Sequence, residues 1–159
     1  METQKQTTMV VFSGDLDKAM ASFIIATGAA AMGSKVTMFF TFWGLNILRK
    51  EQFVPVQKSL LEKMFERMMP RGPGKLGISK LNMGGMGSAL MRHIMKKKKV
   101  ASLPELMELA RELDVEMIAC TMSMDVLGIK EEELIDGLKF AGVATYLGEA
   151  EQSKVNLFI

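Results

Sequence analysis

The chain has 159 residues, charged groups of both signs and a net charge of +2, enough length for one domain with its own core. So small a charge gives no argument for nucleic acid. The single cysteine excludes an intrachain disulfide framework and fits a reducing, cytoplasmic setting. Met1 to Thr8 is polar and lacks the basic start and apolar centre of a secretory signal. The longest apolar run, Ala19 to Gly33, falls short of the roughly 20 residues that a membrane span needs.

Thr8 to Phe12 reads as a first strand, a continuous apolar run suited to a parallel sheet covered on both faces. Ser13-Gly-Asp-Leu-Asp17 is a turn in which Ser13 or Asp15 can cap the next helix. That helix, about Leu16 to Met32, is apolar nearly all round and is expected to be heavily buried, with Gly33 ending it. Lys35 to Phe42 is the second strand. The junction has neither the Gly-x-Gly-x-x-Gly spacing of a dinucleotide site nor a Gly-x-x-x-x-Gly-Lys-Ser/Thr loop. Leu45 to Lys50 reads as a short helical turn.

Apolar residues recur at helical spacing from Pro55 to Met69, with Pro55 in the tolerated first turn. Its methionines read as core or subunit interface. Pro70 to Ser88 is basic, rich in glycine and methionine, and irregular, a stretch that is either functional or packed on a neighbouring subunit. A helix follows from Ser88 to Lys99, with four lysines at its dipole-favoured end. That end is a solvated face or an attraction for anionic lipid or an acidic partner. No aromatic residues interleave it, which argues against RNA. His93 is the only histidine, so no multi-histidine metal site can be assembled.

Ser102-Leu-Pro-Glu105 has the form of a capping box opening a helix through Leu113. Val115 to Ala119 reads as a strand that delivers Cys120 to its carboxyl end, where ligands and chemistry collect in a parallel sheet. Ser123 and Asp125 then read as helix-starting side chains. Backbone N–H groups from Met122 to Asp125 would favour the Cys120 thiolate, lowering a pKa that is about 8.5 in a free thiol, while the Asp125 carboxylate opposes it. The bland reading is a buried core thiol. Ile129 to Asp136 reads as a short acidic helix, Gly137 to Ala141 as a strand, Val143 to Gln152 as a helix and Lys154 to Ile159 as the last strand. Alternating strands and helices give a three-layer α/β fold with a mainly parallel sheet of about five strands and helices on both faces. The whole chain, 1–159, is read as a single domain with a Gly/Met/Lys-rich insertion at about 70–99.

The segment Ile118-Ala-Cys-Thr-Met-Ser-Met-Asp-Val-Leu-Gly-Ile129 resembles the cysteine motif of the DsrE/DsrF-like sulfur-transfer proteins, in their single-cysteine, peroxiredoxin-like branch. Val10 to Met20, Lys35 to Leu45 and Leu81 to Ser88 resemble the same branch. The resemblance implies a DsrE/F-like fold of flavodoxin-like topology and a persulfide-carrying cysteine, Cys120, which makes the chain a sulfur carrier or sulfurtransferase. It implies a TusA-like carrier or rhodanese-like donor as partner, a homo-oligomer (trimer or hexamer), and no metal or organic cofactor. Ser13, Gly14, Trp43, Met122, Ser123, Met124 and Asp125 are the expected pocket-lining or docking residues around Cys120. Two other readings stand beside this one. The first is a non-catalytic oligomeric binding module or membrane-surface adaptor using the Met-rich basic segment. The second is a thiol peroxidase, disfavoured because Glu116-Met-Ile-Ala119 lacks the Pro-x-x-x-Thr/Ser-x-x-Cys pattern. Pairing of Cys120 with His93 as its base is not established by their chain positions.

Overall fold

A computed structural model describes residues 4–159; the first three residues of the polar start, Met1 to Thr8, lie outside the described residues. Five parallel strands form one sheet in the order β4-β3-β2-β1-β5: β1 Gln6–Val11, β2 Lys35–Phe40, β3 Glu116–Cys120, β4 Lys139–Ala141 and β5 Val155–Phe158. This is the three-layer parallel architecture the sequence predicts. In flavodoxin the order is 2-1-3-4-5, whereas here β1 to β4 step in one direction and the chain returns across the sheet to β5. Right-handed crossovers then put the helices of the early steps on one face and that of the return on the other.

On the first face α1, Leu16–Ala31, and α4, Leu103–Glu112, pack on each other and on the strands. Their core includes Phe23, Leu103 and Leu106 against Met9, Met38 and Met117. Strand alternation sends Val10, Phe39, Ile118 and Cys120 to the opposite face, beneath α6, Val143–Ala150. Each face is therefore fixed by a one-residue offset along the same strands.

Several elements differ from expectation for local reasons. β1 begins at Gln6, because Gln6 and Thr7 pair with Lys35 and Val36, and β2 stops at Phe40, before the left-handed Phe42. α1 is not buried all round, since Ile24, Ile25 and Met32 face outwards. α2 runs only from Leu60 to Met68, because Ser59 and Glu62 close a capping box and leave Pro55 in the irregular chain before it. None of its residues is buried, so its Met and Leu side chains are not core. α3, Met86–Lys97, starts before Ser88, its N-cap being Gly85 at φ 103°. The acidic helix expected at 129–136 is a single 3-10 turn, Glu131–Glu133. There the chain is pulled straight by an antiparallel bridge between Arg49 and Leu134 and by the Ile135 N–H bonding to the Leu48 carbonyl at 2.9 Å.

Candidate functional site

Cys120 is the last residue of β3, in register with Ala141 of β4, and the chain turns at once into α5, Thr121–Leu127. Its side chain belongs to a small core with Phe39, Ile118 and Tyr146, the two rings stacking at 5.2 Å. The thiol residue is 2% exposed. Apolar neighbours keep water from sulfur, and they also keep reactants away while this small core stays packed.

α5 starts at Thr121, before the Ser123 and Asp125 that the sequence offers as helix-starting side chains. Cys120 itself is the N-cap, with extended backbone and no side-chain capping bond. The orphan N–H groups of the first turn are therefore those up to Ser123, and those of Met124 and Asp125 are committed to the helix. Ser123 does not cap. It is fully buried, and its hydroxyl lies 2.7 Å from that of Thr41, just past β2. Met124 faces the main core, while Met122 and Asp125 are exposed. Asp125 thus sits on the outside of α5, in its second turn.

The single cysteine at the carboxyl edge of a parallel sheet now has relatives to be set beside. The sequence profile of the DsrE/DsrF/DrsH-like family matches residues 3–158. The chain belongs to this family. It is 57% identical over 158 residues to YrkE of Bacillus subtilis, covering 99% of each chain. It is 40% identical over 160 residues to the sulfur carrier protein DsrE2 of Allochromatium vinosum, covering 98% of this chain and 99% of that one. Two solved structures share the fold, each with a TM-score of 0.53: ychN of E. coli at 10% identity and MTH1491 of Methanobacterium thermoautotrophicum at 11%. The alignments cover 97% of this chain and 99% of ychN, and 98% of this chain and 100% of MTH1491.

In this DsrE/DsrF-like chain the Ser13–Gly14 turn and Trp43 meet on the same sheet edge as Cys120. A Cβ on Gly14 would lie 2.5 Å from the Trp43 carbonyl oxygen, so the two loops touch backbone to backbone. The Ser13 hydroxyl accepts from the Asp15 N–H at 3.2 Å and donates to its carboxylate at 3.0 Å, holding the turn. Asp15 is the N-cap of α1 by backbone geometry but makes no side-chain capping bond. β1 is two strands from β3, about 10 Å at the usual strand spacing, so Ser13 flanks the thiol without lining its immediate cover. Trp43 is 44% exposed, and the neighbouring Phe42 packs with Phe158 on the two sides of a small aromatic group centred on Phe12. His93 stands exposed on α3. Among the described residues no group of three His, Cys, Asp or Glu side chains could hold a metal ion.

Sequence reasoning missed three features. Thr41 and Tyr146 look like ordinary strand-end and helix residues until the fold sets them against Ser123 and Cys120. The third is a buried ionic cluster. Arg49 and Glu133 are fully buried with 3.5 Å between guanidinium and carboxylate, and Lys58 reaches Glu133 at 2.7 Å and Glu66 at 3.2 Å. Arg71 joins Glu66 and Glu133 as well. Burial opposes ionisation of Glu133, but the Lys130 N–H, Lys58 and Arg49 outweigh it and hold the carboxyl below its ordinary range. Burial and the neighbouring Arg71 push Arg49 down. The cluster ties α2 to the loop following α5, so it frames the cysteine edge from outside. Charged residues scattered at 49, 58, 66, 71 and 133 give no sequence signal for such a cluster.

Proposed function

We propose that this protein carries sulfane sulfur as a persulfide on Cys120 and hands it to a partner's thiol. Membership of the family, and 40% identity to a sulfur carrier along nearly the whole chain, support a general role in sulfur relay. The observation that carries the finer reading is the position of the only cysteine, at the carboxyl end of β3 where α5 begins.

The chemistry is redox-neutral. The Cys120 thiolate attacks the outer sulfur of a donor persulfide, R–S–SH, forming a new S–S bond as the donor's own S–S bond breaks and R–S⁻ leaves to take a proton. An acceptor thiolate then attacks the outer sulfur of Cys120–S–SH, and Cys120 departs as thiolate. With no second cysteine in the chain, that acceptor belongs to another molecule. A TusA-like carrier or a rhodanese-like donor is the partner proposed, in the cytoplasm. The apolar cover of Phe39, Ile118 and Tyr146 supports storage of a species that water and free thiols would otherwise discharge.

A homo-oligomer, trimer or hexamer, is part of the proposal. It is supported by the outward row Leu60, Leu61, Met64 and Met68 on α2, an exposed patch of the kind that marks an interface. α2 lies against the end of α5, where a Cβ on Gly128 would meet the Glu62 side chain at 2.5 Å. Met122 and Val126 of α5 are exposed beside it, so this surface adjoins the cysteine element. The test is transfer: protein loaded with a persulfide donor and desalted should pass one sulfur to a purified TusA-like acceptor, and Cys120→Ser should pass none.

The burial of Cys120 favours a second reading, in which the thiol is core and the protein is a binding module. Alkylation of Cys120 only upon unfolding, with no persulfide formed, would establish that reading instead.

A further inference from the structure

Residues 67–104 hold nine Lys or Arg and no Asp or Glu. The remaining chain sets eleven cations against eighteen carboxylates, a net charge of −7. The small overall charge therefore conceals one strongly basic region on an otherwise acidic protein, and α3 lies within it.

α3 is fastened with its polar and small residues inwards. Arg92 donates to the carbonyls of Leu76 at 2.8 Å and Pro73 at 3.4 Å. Gly87 packs so closely that a Cβ there would lie 1.9 Å from the Leu81 carbonyl oxygen. The helix cannot roll, and its outer row is Met86, Leu90 and Ile94, exposed by 68%, 57% and 44%. Leu81 and Met83 extend this row into the preceding turn, and Lys96 to Lys99 close its end.

We propose that α3 and the turn before it dock on an anionic phospholipid surface. An apolar row flanked by lysines is the pattern of a helix lying in a membrane interface. Four consecutive lysines point in all directions around a helix end. No single protein patch pairs with all of them, whereas long lysine stems can reach a continuous anionic plane from any direction. Among the described residues no helix is long and apolar enough to cross a membrane, so the contact is peripheral. The site is separate from Cys120 and does not depend on sulfur chemistry.

The test is flotation with vesicles of phosphatidylcholine alone and of phosphatidylcholine with one third phosphatidylglycerol. The full chain should float with the anionic vesicles only, and less as salt shortens the Debye length. Replacing Lys97, Lys98 and Lys99 by Gln should cost about fivefold in partitioning per lysine. Leu90→Ser with Ile94→Ser should cost more than tenfold although every charge remains, and both variants should keep the wild-type circular dichroism spectrum at the temperature of the assay. Cys120→Ser should bind as wild type. Absence of flotation on anionic vesicles, or unchanged binding by the double serine variant, would overturn the proposal. So would tighter binding to polyglutamate than to the vesicles, which would make the occupant an acidic protein.

Discussion

The hydroxyl of Thr41 stands 2.7 Å from that of Ser123 in a place neither shares with solvent. This bond joins the end of β2 to α5 and so fixes the helix that grows from Cys120. Thr41→Val keeps the shape and leaves the Ser123 hydroxyl unpartnered. A loss of about 1–3 kcal/mol is expected from urea unfolding. Adding Ser123→Ala should restore part of it, since both polar groups are then gone.

The cover over the thiol makes a second prediction. Tyr146→Ala removes the ring stacked on Phe39 and should cost about 3–5 kcal/mol. Under conditions where this variant remains folded by circular dichroism, Cys120 should alkylate more than tenfold faster than in wild type. Tyr146→Phe retains the ring and should alkylate at the wild-type rate.

The ionic cluster gives the protein an acid limit. Glu133 in the folded chain is held below its ordinary value of 4.5, so the unfolded chain takes up this proton first. Its contribution is fully present above that value and is lost as pH falls through the folded-state pKa. Glu133→Gln should therefore flatten the acid limb of a plot of melting temperature against pH. Glu133→Ala, which leaves Arg49 and Lys58 buried without this carboxylate, should cost about 3–5 kcal/mol at neutral pH.

Gly14 and Gly44, like Gly87, are held by close backbone approach. Gly14→Ala would drive its methyl to 2.5 Å from the Trp43 carbonyl, and Gly44→Ala to 2.1 Å from that of Val11. Each should cost about 1–3 kcal/mol in equilibrium unfolding. Gly28, inside α1 with open space around it, is the opposite case, where alanine should stabilise by about 0.5–1 kcal/mol.

Much of this architecture was legible because local and global signals agree. Val115 to Ala119 reads as a buried strand and Ser102 to Glu105 as a helix start, and the fold uses both in those roles. Where the signals divide, reading along the chain fails. α2 carries a helical apolar pattern that would ordinarily mark a buried face, yet its carboxylates Glu62 and Glu66 turn to cations in the body and its apolar row faces out. Residues 129–136 look helical from composition but are straightened by a bridge to Arg49, 85 positions away from Leu134. Ser123 resembles a cap because capping is a local property, whereas its bond to Thr41 spans 82 positions. The place of Cys120 at the carboxyl end of its strand was legible from the run of elements along the chain, and its sharing of a small core with Tyr146 was not.

The most direct measurement is the intact mass of the protein after brief exposure to a persulfide donor, with Cys120→Ser alongside. A gain of one sulfur atom on wild type alone, reversed by a thiol reductant, is the predicted result. An unchanged mass, with a thiol that reacts only once the chain is unfolded, would contradict the proposal that Cys120 carries sulfur.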